Sequence, residues 1–386
     1  MKYLAVLGRQ PEISIAELEA LFSDMQILDE SCRLFSSPKN DDIFVGSPPE
    51  SSPVHVIRFE TADTIAIARL GGVLKLAAEL IEKPLDYLLK LPEGKITLGI
   101  SDYSSKATRK TVTTEALKLK RVLVKQGRSV RVVENKEATL STATSLYNGL
   151  SGKNERKVEL IKVDNSWYKV IGVQDIDAYA KRDQVRPARD AKVGMLPPKL
   201  AQILINLCGP LPENSVILDP FCGTGVVLQE ALLMGFCAYG TDINNRMIDY
   251  SKRNLDYFKF KDYKLEEGDA TSFKWKQPID AVACEGYLGK PFSKIPTEME
   301  LKAQKQECGV IVLGFLRNLS LQIKSNTPVT IAVPAWLREN GEYSRLEIID
   351  EIEKLGYNVS NKTCEGLLYH REKQVVARDI LILRKK

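Results

Sequence analysis

Asp219-Pro220-Phe221-Cys222-Gly223-Thr224-Gly225 follows the apolar run Val216-Ile217-Leu218 and leads into a helix-like stretch from Val226 to Met234. A buried strand that ends in an acid and a two-glycine turn, then enters a helix, brings backbone N–H groups and a carboxylate to one point. That composition describes a cofactor pocket. The next strand-like run, Cys237 to Thr241, ends in Asp242-Ile243. An acid about 20 positions past the glycines is placed to hold the hydroxyls of a ribose. A third candidate strand, Tyr263 to Glu267, ends in Gly268-Asp269-Ala270 and adds another carboxylate at the same sheet edge.

The glycine spacing narrows the choice of cofactor. A dinucleotide site needs a third glycine three positions on, so that helix and strand can approach closely, but Leu228 stands there. Pyrophosphate is therefore a poor guest. An opening carboxylate at Asp219 suits a cationic sulfonium with a free amino-acid end, and S-adenosylmethionine fits that description better than NAD or FAD. A glycine-rich strand-to-helix turn also occurs in doubly wound sheets that bind nothing; the serial acids Asp219, Asp242 and Asp269 argue against that here.

In such a sheet the substrate meets the cofactor at the carboxyl ends of the strands. The fourth candidate strand, ending Ala281-Val282-Ala283-Cys284, runs into Glu285-Gly286-Tyr287-Leu288-Gly289-Lys290-Pro291-Phe292. Methylating an exocyclic amine on a base requires its delocalised lone pair to be aimed at the methyl group, with acceptors for the amine protons and a flat surface for the ring. Glu285 or a backbone carbonyl supplies the acceptor, and Tyr287 supplies the surface. A tyrosine starting a loop also packs into cores, and a loop glutamate is also simply solvated, so both bland readings stand beside the functional ones. Cys284 and Cys222 have no neighbouring histidine in sequence and read as wall residues rather than nucleophiles.

The elements that position these groups follow from pattern. At 386 residues, 44% hydrophobic and 27% charged, the chain is long enough for two or three globular domains. No apolar run approaches the roughly 20 residues of a membrane span, and the start, Met1 to Gly8, reads as a strand rather than a secretory signal. A cytoplasmic protein is expected. Seven cysteines without a CxxC pair, and only two histidines, His55 and His370, match no zinc or iron–sulfur spacing. No metal is expected.

The first segment shows a strand over Tyr3 to Leu7 and a helix over Ile15 to Phe22 capped by Ser14. Irregular polar sequence from Ser47 to Pro53 follows, then a strand over Val54 to Phe59 and a long helix-like run from Thr61 to Leu80, in all a small α+β sandwich. The second opens with a strand over Ile96 to Ser101. A basic run follows, Lys106, Arg109, Lys110, Lys118, Lys120, Arg121, Lys125, Arg128 and Arg131, with Glu115 its lone acid. Such runs are commonly solvated helix faces; the near absence of acids favours a face that neutralises phosphates and positions a nucleic acid without reading its sequence. Two β-rich runs close it, Lys157 to Val163 and Trp167 to Val173. A charged linker, Tyr179 to Lys192, leads to the third segment, where strands alternate with helices: a mostly parallel sheet covered on both faces. Its closing strands, Gly366 to Tyr369 and Gln374 to Leu383 around a turn at His370 to Lys373, call for an antiparallel hairpin at one edge, which belongs to class I methyltransferase sheets rather than to dehydrogenases. No internal repeat is present.

These residues resemble the THUMP-containing RNA guanine-N2 methyltransferases of the archaeal and eukaryotic type, over nearly the whole chain. The likeness is carried by Tyr3 to Arg9 with Glu17-Leu18, Leu140-Ser141, Arg182-Asp183 with Arg186-Pro187, Met195 to Leu200, Asp219 to Gly225, and Tyr369, Arg371, Gln374, Val376 and Arg378. It implies an α/β, class I (Rossmann-like) methyltransferase domain over residues 195–386, preceded by an α+β ferredoxin-like domain (1–94), a THUMP RNA-binding domain (95–177) and a linker (178–194). It also implies tRNA as the partner and S-adenosylmethionine as the cofactor. On this analogy Asp219, Pro220, Phe221, Cys222, Gly223, Thr224 and Gly225 cradle the methionine part, Asp242 and Ile243 the ribose, and Asp269 and Ala270 the adenine, with Pro198 and Lys199 bordering it. Arg371 joins the basic run as an RNA contact, and a monomer is expected. The family's acceptor motif is an acid or asparagine, two prolines and an aromatic. Aligned on the aromatic, it falls on Cys284-Glu285-Gly286-Tyr287, which shifts the acid by one and replaces the second proline with a glycine whose backbone is freer. The resulting expectation is an active tRNA guanine-N2 methyltransferase. The alternatives are a catalytically silent RNA-binding homologue that keeps the pocket, and a DNA or protein amino-methyltransferase.

Overall fold

The computed structural model describes residues 1–28, 56–189, 195–360, 366–371 and 374–386. The chain divides into two compact units, one built mainly of residues before Tyr179 and the other of Tyr179–Lys386. The polar run Ser47 to Pro53, Val54, His55, Cys32 and Cys364 lie outside the described residues, as do the turn residues 372–373 and the end of the expected linker, 190–192.

Before Tyr179 the elements are β1 (Lys2–Leu7), α1 (Pro11–Leu21), β2 (Gln26–Ile27), β3 (Val56–Glu60), β4 (Val73–Glu79), α2 (Pro84–Leu89), β5 (Ile96–Asp102), α3 (Arg109–Lys125), β6 (Val130–Val132), α4 (Thr142–Tyr147), β7 (Lys157–Val163) and β8 (Ser166–Val173). The strands on either side of Lys95 share one eight-stranded sheet, ordered β2-β3-β1-β4-β8-β7-β5-β6. Helix α3 buries Val112, Ala116, Leu119 and Leu123, one stripe at helical spacing, against that sheet's core. Its start is fixed by a reciprocal cap between Thr108 and Thr111.

Two expectations fail here. The helix expected over Thr61 to Leu80 is a short 3-10 turn, Ile67–Arg69, followed by β4, which pairs with β1 on one side and β8 on the other. Leu- and Ala-rich sequence favours a helix locally, but Gly71-Gly72 interrupts it, and pairing and burial between two strands override propensity. Ser14 is not a cap: α1 begins at Pro11, whose fixed φ suits a first helical turn, and the Ser14 hydroxyl lies inside the helix and donates to the Gly72 carbonyl at 2.9 Å.

The second unit continues with α5 (Ile176–Gln184), α6 (Pro198–Asn206), β9 (Val216–Asp219), α7 (Val226–Leu233), β10 (Cys237–Asp242), α8 (Asn245–Tyr257), β11 (Tyr263–Glu267), β12 (Ala281–Glu285), α9 (Glu298–Ser320), β13 (Pro328–Leu337), β14 (Tyr343–Ser344), α10 (Ile349–Lys354), β15 (Tyr357–Val359), β16 (Leu367–Tyr369) and β17 (Val376–Lys385). The charged stretch read as a linker is half helix. The sheet runs β11-β10-β9-β12-β13-β17-β15. Its first five strands are parallel and β17 is antiparallel to β13. The expected hairpin is β16 against β17, with Leu367 opposite Ile380; β15 pairs with the far end of β17. Helix α9, capped by Thr297 and Glu300, lays Leu301, Cys308, Val312, Phe315 and Leu319 into the core beside Leu218, Val282, Ile331 and Trp336. No described helix is long and apolar enough to cross a membrane.

Candidate active site at the tips of the central strands

Strand order reverses between β9 and β12, and the crevice beyond their carboxyl ends is where a doubly wound sheet takes ligands. The glycine turn leaves one of these strands and the acceptor loop leaves the other. In the turn, Gly223 (φ 51°) and Gly225 (φ 81°) adopt left-handed backbone, and the Gly225 N–H closes the turn on the Cys222 carbonyl at 2.7 Å. A Cβ at Gly225 would lie 3.0 Å from the Ser251 hydroxyl, which itself donates to the Gly223 carbonyl at 2.7 Å. Leu228, which replaces the third glycine of a dinucleotide motif, is fully buried, and a Cβ on Gly240 would stand 2.5 Å from it. The small residue that permits close helix–strand approach thus sits on the strand rather than on the helix.

Asp219 is 3% exposed, and its Oδ1 accepts the Phe221 N–H at 3.1 Å. Burial pushes its carboxyl well above the usual carboxylate range, and the nearby charges of Asp242 and Glu285 push it further against the opposing Phe221 hydrogen bond. Asp242 is half-buried and accepts two backbone N–H groups, from Gly223 at Oδ2 and from Asn244 at Oδ1, each at 2.9 Å. Burial raises its pKa as well. Asp242 therefore shapes the glycine turn in addition to facing the crevice. Asp269 differs: it is exposed, and its Oδ1 is occupied by the Thr271 N–H and hydroxyl. Ile243 is exposed and Ala270 buried. The acids in electrostatic reach of Asp219 are Asp242 and Glu285.

Around the turn, the Pro220 carbonyl accepts a long bond from the Thr241 hydroxyl at 3.5 Å, Phe221 stands edge-on to Phe315, and Cys222 is buried with its thiol pKa pushed up. Thr224 is buried. Pro198 opens α6 and is buried; the Lys199 ammonium lies 5.3 Å over the Tyr179 ring. Residues to which sequence reasoning gave no role build the wall behind. Arg186 is buried, with guanidinium contacts to the Thr224 hydroxyl at 3.5 Å and Met195 Sδ at 3.6 Å. Asn254 bridges the Ala188 backbone and the Thr224 carbonyl, all within 3.0 Å. Asn254 lies in a charged amphipathic helix, where an asparagine reads as one more solvated residue. No sequence signal marked it.

The acceptor loop is anchored at two places. Arg378 Nε on β17 donates to Glu285 Oε1 at 2.6 Å. The Tyr287 hydroxyl donates to Glu307 Oε1 on α9 at 3.0 Å, Gln304 Nε2 donates to Glu307 Oε2, and the Lys290 N–H donates to Gln304 Oε1. The Tyr287 ring is half-buried against the core, and burial together with Glu307 pushes its hydroxyl up to about 12. Gly286 has no left-handed backbone; its N–H donates to the Ala332 carbonyl at 2.9 Å, a bond that proline cannot make. Cys284, which aligned with the first position of the acceptor motif, is no part of the chemistry and is the wall residue its sequence context suggests: strand alternation turns its side chain inward, where it is fully buried among Leu218, Val282 and Ile331 with its thiol pKa raised well above normal.

In the first unit, Lys110, Lys118, Arg121 and Lys125 are exposed and project from the side of α3 opposite its buried stripe. Lys106 is exposed and Lys120 half-buried. Arg109 pairs with Glu134 at 3.0 Å, and Arg131 donates to Asn148. Arg128 departs from expectation: its guanidinium donates to the carbonyls of Leu89, Leu91 and Pro92, so it ties down chain rather than facing solvent. Arg371 is exposed in the other unit, its Nε 3.5 Å from the Tyr369 hydroxyl.

The strand order and the glycine turn give the C-terminal unit a Rossmann-like fold, and a family model described as a methyltransferase domain matches residues 211–347. A DNA methylase model matches residues 105–253. The chain is 43% identical over 103 residues to a tRNA (guanine(10)-N2)-dimethyltransferase from Pyrococcus abyssi, covering 27% of each protein. It is 29% identical over 178 residues to the protein of that name from Methanocaldococcus jannaschii, covering 45% of this chain and 50% of the relative. These matches span half or less of the relatives' lengths. Among solved structures, TrmN from Thermus thermophilus aligns over all of both chains at 15% identity with a TM-score of 0.46.

Proposed function

We propose that the protein methylates the exocyclic N2 of a guanine in tRNA, using S-adenosylmethionine. The observation that carries this reading is the buried Asp219 carboxylate at the tip of β9, set beside the Gly223–Gly225 turn and within reach of Asp242 and Glu285. A buried carboxyl group with other acids in electrostatic reach and a single backbone hydrogen bond of its own favours a cation. Asp219 and the turn would hold the amino-acid end, Asp242 and Ile243 the ribose, and Asp269 and Ala270 the adenine, with Pro198 and Lys199 alongside. The bound cofactor supplies an electrophilic methyl carbon. At the other side of the crevice Glu285 would accept a hydrogen bond from the guanine amine and take its proton as the N–C bond forms and the methyl–sulfur bond breaks, the electron pair staying on sulfur to leave S-adenosylhomocysteine, while the Tyr287 ring borders the base. The names of the relatives support guanine N2 in tRNA, with position 10 the first to test.

For the rest of the chain we infer a ferredoxin-like domain over 1–94 and a THUMP domain over 95–177, joined through 178–194 to the methyltransferase domain over 195–386. The exposed face Lys110, Lys118, Arg121 and Lys125 would neutralise tRNA phosphates. A cytoplasmic monomer fits this reading. A silent RNA-binding homologue is the second reading, favoured by Cys284 and Gly286 standing where the family has an acid and a proline. Incubation with labelled S-adenosylmethionine and unmodified tRNA, followed by nucleoside analysis, separates the two. Labelled N2-methyl- or N2,N2-dimethylguanosine is expected. Cofactor binding without transfer would favour the silent homologue, and a labelled adenine or cytosine would reassign the base.

A further inference from the structure

Glu285 ends β12 facing the crevice, but the loop behind it lacks the proline that would stiffen its backbone. Its carboxylate is steered from another strand. Arg378 lies on β17, is 7% exposed, and donates from Nε to Glu285 Oε1 at 2.6 Å. The two residues are 93 positions apart and reach each other because β13 lies between their strands: Glu285 pairs with Ala332, and Arg378 pairs with Pro334. A mostly buried guanidinium held by sheet register is a stiff donor, and charge-assisted bonds of this length are the strong ones. Among the described residues no hydrogen bond is made to Glu285 Oε2.

Resting on the methyl-transfer reading above, we propose that Arg378 is a positioning residue for that reaction: it fixes Glu285 through Oε1 so that Oε2 accepts the substrate amine proton. Arg378 itself touches neither cofactor nor base. Its contribution is orientation, for which a displacement of about 1 Å can cost on the order of 100-fold in rate.

The test uses the full chain with unmodified tRNA transcript, and compares Arg378→Ala, Arg378→Lys, Glu285→Ala and the Arg378→Ala/Glu285→Ala pair. Arg378→Ala is expected to lower kcat by roughly 10- to 100-fold, with KM for tRNA and the Kd for S-adenosylhomocysteine within about twofold of wild type. Arg378→Lys should recover part of kcat, and the double variant should be no slower than Glu285→Ala alone. Multiplying losses in the double variant, or an unchanged kcat in Arg378→Ala, would overturn the assignment. A crystal structure of Arg378→Ala judges the anchoring without turnover: the Glu285 carboxylate should leave its place, and an unmoved carboxylate overturns the proposal. A wild-type protein that methylates no guanine defeats the methyl-transfer reading instead.

Discussion

Burial raises the pKa of Asp219 above its ordinary 3.8, so as pH rises the unfolded chain gives up this proton before the folded protein does. Its contribution to folding stability is therefore present below about pH 4 and lost as pH rises through the raised value. Binding an ammonium group reverses the preference, since the ion pair needs the carboxylate. The affinity for S-adenosylhomocysteine should accordingly rise with pH up to the raised pKa of Asp219, with proton release visible by calorimetry in buffers of different ionisation heat. Asp219→Asn should remove most of that slope and weaken binding roughly 10- to 100-fold, leaving the smaller part due to Asp242. At Gly286 the prediction concerns stability. Gly286→Pro deletes the bond to the Ala332 carbonyl and should lower unfolding free energy by about 1 to 3 kcal/mol in urea titrations. Tyr287→Phe keeps the ring and loses only the tether to Glu307. If the tether orders the acceptor loop, kcat falls severalfold with cofactor affinity unchanged; if the ring serves by its face alone, kcat does not move.

Helix α3 separates its charges by what they face. Lys110, Lys118, Arg121 and Lys125 point into solvent where phosphate can reach them, whereas Arg128, just beyond the helix end, caps three carbonyls. Replacing the four with alanine should weaken tRNA binding and reduce the salt dependence of log K by about one for each phosphate no longer neutralised, at unchanged melting temperature. Arg128→Ala should do the opposite, lowering the melting temperature while leaving the salt slope as it was. In the sequence these residues form one undivided basic run. The helical period picks out the exposed face, but which arginine finds carbonyls depends on where the chain from Leu89 to Pro92 passes, and nothing in local sequence states that.

Across the molecule, one buried ion pair joins strands that are distant in sequence. Lys75 on β4 donates to Glu159 on β7 at 2.6 Å and to the Leu140 carbonyl, and Ser101 and Ser145 complete the carboxylate's bonds. Both side chains are essentially inaccessible. Lys75→Met leaves a buried carboxylate without its cation and should destabilise the protein by about 3 to 5 kcal/mol in denaturant titrations, with part of that recovered by adding Glu159→Leu. Lys75 also explains why the Thr61 to Leu80 run misleads: a lysine among leucines and alanines reads as the polar face of a helix until a buried partner from another strand is supplied. By itself the sequence determined what depends on nearby residues: the strand–turn–helix around Gly223 and Gly225, the acids at successive strand ends, the alternation that builds a parallel sheet, and the stripe of α3. Local sterics and periodicity carry that information. Only the tertiary structure decided that Glu285 rather than Asp269 shares the electrostatics of Asp219, that Arg378 holds Glu285, that Cys284 faces the core, and that Asn254 braces the glycine turn. The first two outcomes are set by strand order and register, and the last two by which elements pack over the strand and the glycine turn; all join residues distant in sequence through contacts that no short stretch of chain contains.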